Sequence, residues 1–242
     1  MGATGIIFQR EFNAYVRSPI GYIVAAVVLF IDGILFFGFA LGVEGEILSA
    51  QVLRTFFFVA SGMTSIAAVV LSLRLLAEER QTGTQLLLDT SPVRDREIVV
   101  GKFLAGLAFL SAINLATIYM PLLILVNGKI AVGQILIGYL GLTLIGGAVM
   151  AIGVFGSALS RQQLVAAVVT SLITGLFFLF TVLSQEMDPP LSRFFRALAI
   201  HGTQFLGFEV GRLHLRDVVY YLSLIYFFLF AATKVLEAKR WE

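Results

Sequence analysis

Two glycine–lysine pairs, Gly101-Lys102 and Gly128-Lys129, are the nearest this chain comes to a phosphate-binding loop. A Walker A turn needs Gly-x-x-x-x-Gly-Lys-Ser/Thr, so that backbone amides and the lysine cradle phosphates together. Here Phe103 and Ile130 follow the lysines and the earlier glycine is missing, which excludes nucleotide hydrolysis by that route. The His-Glu-x-x-His spacing of zinc proteases is also absent, and His201 and His214 stand apart in one loop, where a hydrogen-bonded role is the simpler reading. With no cysteine, disulfides and thiolate metal sites are ruled out. The one ionisable group deep in an apolar run is Asp32, about 18 Å from the start of that run at helical rise. A carboxyl there either lines a substrate path or makes a structural hydrogen bond, and both readings are open.

The elements that must position these residues are membrane helices. Hydrophobic residues make up 59% of the 242 and charged residues 13%, against about 45–50% and about 25% in a soluble domain. Mean hydropathy is +0.95. A hydrocarbon core of about 30 Å needs roughly 20 helical residues. Six runs qualify: Ile20–Leu41, Thr55–Leu73, Phe103–Val126, Gln134–Leu159, Leu164–Leu183 and Val218–Val235. They lack the dyad alternation of a barrel, and open strands cannot satisfy their backbone in lipid, so the expectation is an all-α integral membrane protein forming one transmembrane domain over 1–242.

Before the first run, Phe8, Phe12, Tyr15 and Val16 share a face of Ile6–Arg17 while Gln9, Asn13 and Arg17 share another, which predicts an interfacial helix within residues 1–19. Glu11 falls near its apolar edge. Charges interrupt the stretch, so it does not read as a secretory signal. Ser18-Pro19 ends this helix and turns the chain into the bilayer. An even number of spans puts both termini on one side. Placing them in the cytoplasm puts eleven basic residues inside, from Arg10 to Arg240, and six outside, four of those in one long loop, which favours N-in and C-in. The net charge of +2 and a pI near 9.0 are thereby explained by topology, without nucleic acid.

One polar interruption, 77–97, lies on the strongly charged side. Gly83 is expected to break the helix descending from the second span, and Thr84 to cap a short helix through Leu86, Leu87 and Leu88. Ser91-Pro92 reads as N-cap and first residue of the next helix, with Asp95 and Glu97 suiting its dipole. Asn127 to Lys129 and Ser160 to Gln163 are tight turns. Gly147/Ala151 and Gly153/Ser157 are small-xxx-small pairs on the fourth span, spaced for close helix contact within the subunit or between two copies. The segment 184–217 mixes Leu191, Phe194, Phe195, Leu198 and Phe205 with Arg193, Arg196 and His201, and predicts short re-entrant or interfacial helices. Lys239-Arg240-Trp241 is an anchor at the inner surface.

The runs Phe8–Ile20, Glu78-Glu-Arg-Gln-Thr-Gly-Thr-Gln-Leu-Leu-Leu-Asp-Thr-Ser-Pro-Val93 and Glu97-Ile-Val-Val-Gly-Lys-Phe103 resemble the permease subunits of ABC-2 type transporters, most closely the gliding-motility-associated permeases and their copper-processing relatives. The resemblance extends to His201 and Leu215–Leu224 and is most specific in the Glu78–Val93 block. It implies a six-helix exporter-type subunit of a bacterial inner membrane with an N-terminal connector helix, a cytoplasmic coupling helix and outer re-entrant helices. It further implies pairing with a second permease copy or paralogue, and docking of each on a cytoplasmic ATP-binding subunit that holds ATP and Mg. The coupling contact then falls on Glu78, Glu79, Arg80, Thr82, Gly83, Thr84, Leu86, Leu87, Leu88, Ser91 and Pro92. This chain itself is expected to be no enzyme and to hold no cofactor.

Three other classes stand beside this reading. A membrane enzyme needs His, Asp or Glu converging at one depth, and a secondary transporter an internal repeat with paired charges; neither pattern is evident. An intramembrane scaffold or channel-like subunit of an envelope complex, with no transport substrate of its own, is the remaining alternative.

Overall fold

The computed structural model describes residues 2–40, 49–77, 93–128 and 130–239. In chain order these form α1 (Ala3–Arg17), α2 (Pro19–Leu35) with a π-helical turn at Phe36–Ala40, α3 (Ser49–Ser72), α4 (Asp95–Ala116), α5 (Tyr119–Asn127) and α6 (Val132–Leu159). Then follow α7 (Gln163–Glu186), α8 (Leu191–Leu198), α9 (Thr203–Glu209) and α10 (Leu215–Lys239). No strand occurs among the described residues. Six segments are long and apolar enough to cross a bilayer: Pro19–Gly38, Ser49–Ser72, Asp95–Val126, Val132–Leu159, Gln163–Glu186 and Leu215–Lys239.

α6 is the centre of the bundle. In its most apolar stretch 78% is buried, against 17% for α7 and 22% for α10, so α6 meets protein where its neighbours meet lipid. It packs on α3, α4, α7, α9 and α10. Glycines make this possible. A Cβ at Gly138 would enter the Phe57 ring, and one at Gly141 would stand 2.5 Å from Phe208 Cβ. Residues Ala148 to Ile152 are wholly enclosed.

Local chemistry sets the breaks. Ser18 ends α1 in extended backbone, its hydroxyl accepts the Ile20 N–H at 3.3 Å, and Pro19 opens α2. The third span is broken at Thr117–Ile118 because Pro121 has no N–H to offer the Thr117 carbonyl, which accepts from Met120 at 3.0 Å instead. α3 departs from expectation: it stops at Ser72, well before Gly83, and the chain turns through Leu73–Leu76. Two amides that would continue the helix, those of Leu76 and Ala77, donate instead to Ser157 Oγ at 3.0 and 2.8 Å. The Ser91-Pro92 start expected for the next helix lies outside the described residues. Val93 and Arg94 are non-helical, and α4 begins at Asp95 because the Glu97 carboxylate reaches back to accept the Arg94 N–H at 3.0 Å.

Candidate functional site

The expected coupling residues, Glu78, Glu79, Arg80, Thr82, Gly83, Thr84, Leu86, Leu87, Leu88, Ser91 and Pro92, lie outside the described residues. What is described is the frame on either side of them, at the end of the bundle that carries both termini. On the approach, Leu75, Leu76 and Ala77 are buried, and Ser157 Oγ receives two amides there. Each of those amides would cost about 1–3 kcal/mol if buried without a partner. Lys239 Nζ donates to the Ala158 and Leu159 carbonyls at 3.1 and 2.8 Å, setting a cation on the last turn of α6.

On the return side, α4 is locked to α1. Gly101 lets the helices touch: a Cβ there would stand 2.9 Å from Ile7 Cγ2 and 3.0 Å from the Thr4 carbonyl. One residue on, Lys102 Nζ lies 3.0 Å from Glu11 Oε1, with the lysine side chain only 1% exposed. Arg10 holds the same carboxylate oxygen. Burial raises the Glu11 pKa, but Lys102 and Arg10 outweigh it and hold the carboxyl below its ordinary range. Glu11 therefore sits inside the α1–α4 seam, at the centre of the line Ile7, Glu11, Tyr15, while Val16 is exposed. Tyr15 stacks on Phe109 with centroids 5.2 Å apart and donates to the Leu71 carbonyl at 2.8 Å, and Arg74 donates to Ser18 Oγ at 2.8 Å. α1 thus ties the end of α3 to the start of α4. Sequence reasoning missed this pair; a lysine immediately after a glycine at the mouth of an apolar run was its available signal.

The other singled-out residues fall elsewhere. Asp32 is 4% exposed, between α2 and α3, among Leu35, Phe36, Thr55, Phe56 and Val59. Its Oδ1 is buried with no hydrogen-bond partner among the described residues, so the structural hydrogen bond offered above is not made by that atom. Gly147 faces Ile225 of α10 and Leu107 of α4, whereas Gly153 faces Ser72 of α3; both are contacts within the subunit. Ala151, one turn beyond Gly147, is fully enclosed.

At the far end, residues 199–201 and most of α9 are sunk into the bundle, whereas α8 lies on its surface with only Ser192 buried. His201 Nε2 lies 2.7 Å from Ser61 Oγ, and Ser61 is about 18 Å along α3 at helical rise. Ser61 Oγ also lies 2.7 Å from the Phe58 carbonyl, to which it can donate. Phe58, Phe178 and Phe205 surround the imidazole with centroids 5.2, 5.7 and 5.3 Å away, and burial pushes its pKa down to about 4, so it is neutral. Gly202 supplies the left-handed turn beside it, φ 77°, where a Cβ would strike Thr181. Tyr220 and Tyr221 donate to the Leu198 and Ile200 carbonyls at 2.8 and 2.7 Å. His214 is exposed, and no three His, Asp or Glu converge as metal ligands among the described residues. This is a packed plug.

No curated protein matches the sequence. The family model of the ABC-2 family transporter protein matches residues 6–240, without singling out the gliding-motility or copper-processing branch. With six spans threaded on a glycine-lined central helix and a match over nearly its whole length, the chain belongs to the ABC-2 family of transporter proteins and is a membrane-spanning permease component.

Proposed function

We propose that a separate cytoplasmic ATP-binding subunit moves this bundle through the segment from Glu78 to Val93, and that the stroke serves transport or force transmission. The observation that carries this reading is the frame: the chain leaves at Leu76 and Ala77 fixed on Ser157, and returns at Arg94 into an α4 fixed on α1. Displacement of a segment anchored at both flanks is passed to α3, α6, α4 and α1 together. Within the segment, Leu86, Leu87 and Leu88 supply apolar side chains for a cleft of the partner, and Glu78, Glu79 and Arg80 a charged rim that fixes register. ATP and Mg are held by that partner. A second copy or paralogue completes the translocation path in an inner membrane, with both termini of this chain in the cytoplasm.

The test is the double substitution Leu86→Asp/Leu88→Asp, co-expressed with an ATP-binding subunit that co-purifies with the wild-type chain. The variant is expected to insert normally and to lose the ATPase on purification, because the contact would bury unpaired carboxylates. Stoichiometric co-purification with coupled ATPase activity intact overturns the assignment.

A further inference from the structure

At the end of the bundle carrying both termini, a cleft of about 670 Å³ opens between the start of α4 and the last turns of α10. Its two poles differ in chemistry. Toward the middle of the bundle it is lined by Tyr226, Leu229 and Phe230; toward the end it is rimmed by Arg94, Arg96 and Lys234. The acids on the wall are engaged: Asp95 is buried with a partner, and Glu237 holds Lys234 at 2.7 Å. Arg94 and Arg96 are exposed and form no ion pair among the described residues. Lys234 also lies 5.7 Å from the centroid of the Phe230 ring, one helical turn or about 6 Å below it.

The cleft continues onto the outside of a spanning helix, where Tyr226 is 72% and Phe230 52% exposed. A surface of that kind within a spanning helix faces acyl chains. An occupant must therefore be apolar for the depth of Tyr226 to Phe230 and anionic about one turn further out, next to two guanidiniums that have no carboxylate partner among the described residues. We propose that the cleft binds an anionic phospholipid of the adjacent leaflet, its phosphate among Arg94, Arg96 and Lys234 and an acyl chain along Tyr226 and Phe230. A zwitterionic headgroup would bring its own cation among the arginines and is disfavoured. The assignment rests on the chain crossing a bilayer and is independent of the ATP-binding partner.

Native mass spectrometry of the full chain, released from detergent containing equal phosphatidylglycerol and phosphatidylcholine, tests it. Phosphatidylglycerol adducts are expected to dominate, and Arg94→Gln/Arg96→Gln to reduce them about tenfold while leaving phosphatidylcholine adducts unchanged. Both side chains are exposed, so an unaltered unfolding temperature is expected for this variant. A second measurement locates the lipid: Tyr226→Trp in a Trp241→Phe background is expected to be quenched by brominated phosphatidylglycerol, and inorganic phosphate should not relieve the quenching. Relief by phosphate would show a free-anion site in place of a lipid site. Equal retention of the two lipids, undiminished phosphatidylglycerol in the double variant, or equal quenching by brominated phosphatidylcholine overturns the proposal.

Discussion

Glu11 and Lys102 bring opposite charges into an apolar seam, where each offsets the cost of burying the other. Glu11→Gln leaves a nearly enclosed ammonium short of its counter-charge and is expected to destabilise the protein by about 3 kcal/mol, read as a lowered unfolding temperature in detergent. Adding Lys102→Met is expected to restore much of that loss, since it removes the uncompensated ammonium and leaves an uncharged pair of similar volume. The same pair sets a pH response. Because the folded-state pKa of Glu11 lies below its ordinary 4.5, its contribution is fully present above that value and is lost as pH falls through the lower one. The acid-side decline in unfolding temperature is therefore expected to be steeper in the wild type than in Glu11→Gln. Asp32 announced itself in the sequence because its charge interrupts an apolar run. Glu11 did not, because its partner is 91 positions away and helical periodicity carries no information at that distance. Nor does periodicity tell whether a buried carboxyl oxygen has a donor, and only the neighbours of Asp32 showed that its Oδ1 has none among the described residues.

Elements were more legible than pairs. Six apolar runs became six spans, and Ser18-Pro19 became the joint between α1 and α2, because length, apolarity and proline act locally. Helix ends that depend on remote groups were not legible. α3 stops where the Ser157 hydroxyl takes its next amides, and α4 starts where Glu97 reaches back. The glycines of α6 show the same division. The small-xxx-small spacing identifies a close-packing helix, but not which helix each face meets, and the two faces differ in how they can yield. A Cβ at Gly153 would run into Ser72, whose hydroxyl is tied to the Val69 carbonyl at 2.7 Å. A Cβ at Gly147 would press on the tip of Ile225, at 3.1 Å, and make ordinary contact with Leu107 at 3.5 Å, and the Ile225 side chain can turn aside. Gly153→Ala is expected to cost about 1–3 kcal/mol and Gly147→Ala less, compared by thermal unfolding of the two variants. Equal losses would mean that the α3 contact is as compliant as the α10 contact.

At the scale of the molecule, charge and packing divide the two ends. The end bearing α1 gathers Lys102, Arg74 and Lys239 into hydrogen bonds and ion pairs, whereas the far end closes over an aromatic plug around a neutral His201. The mixed aromatic and basic content of 184–217 made its short helices legible; the depth of the plug was not, because Ser61 and Phe178 reach it from other spans. With the basic residues as distributed, cysteines at Gly2 and Glu242 of this cysteine-free chain are expected to resist impermeant thiol reagents in intact cells and to react after permeabilisation. Labelling of either from outside would reverse the orientation. The burial of α6 bears, finally, on how the protein is made. Translated from its N-terminus, the chain delivers α6 fourth among its spans, before the ribosome has produced Thr170 to cover Gly156 or Ile225 to lie against Gly147. Until the fifth span arrives the backbone of the central helix is bare to lipid at Gly156, and until the sixth arrives it stays bare at Gly147. The last helix is thus a closing stave, and a chain arrested before Leu215 presents the membrane's quality-control machinery with an open spine and not merely a missing edge.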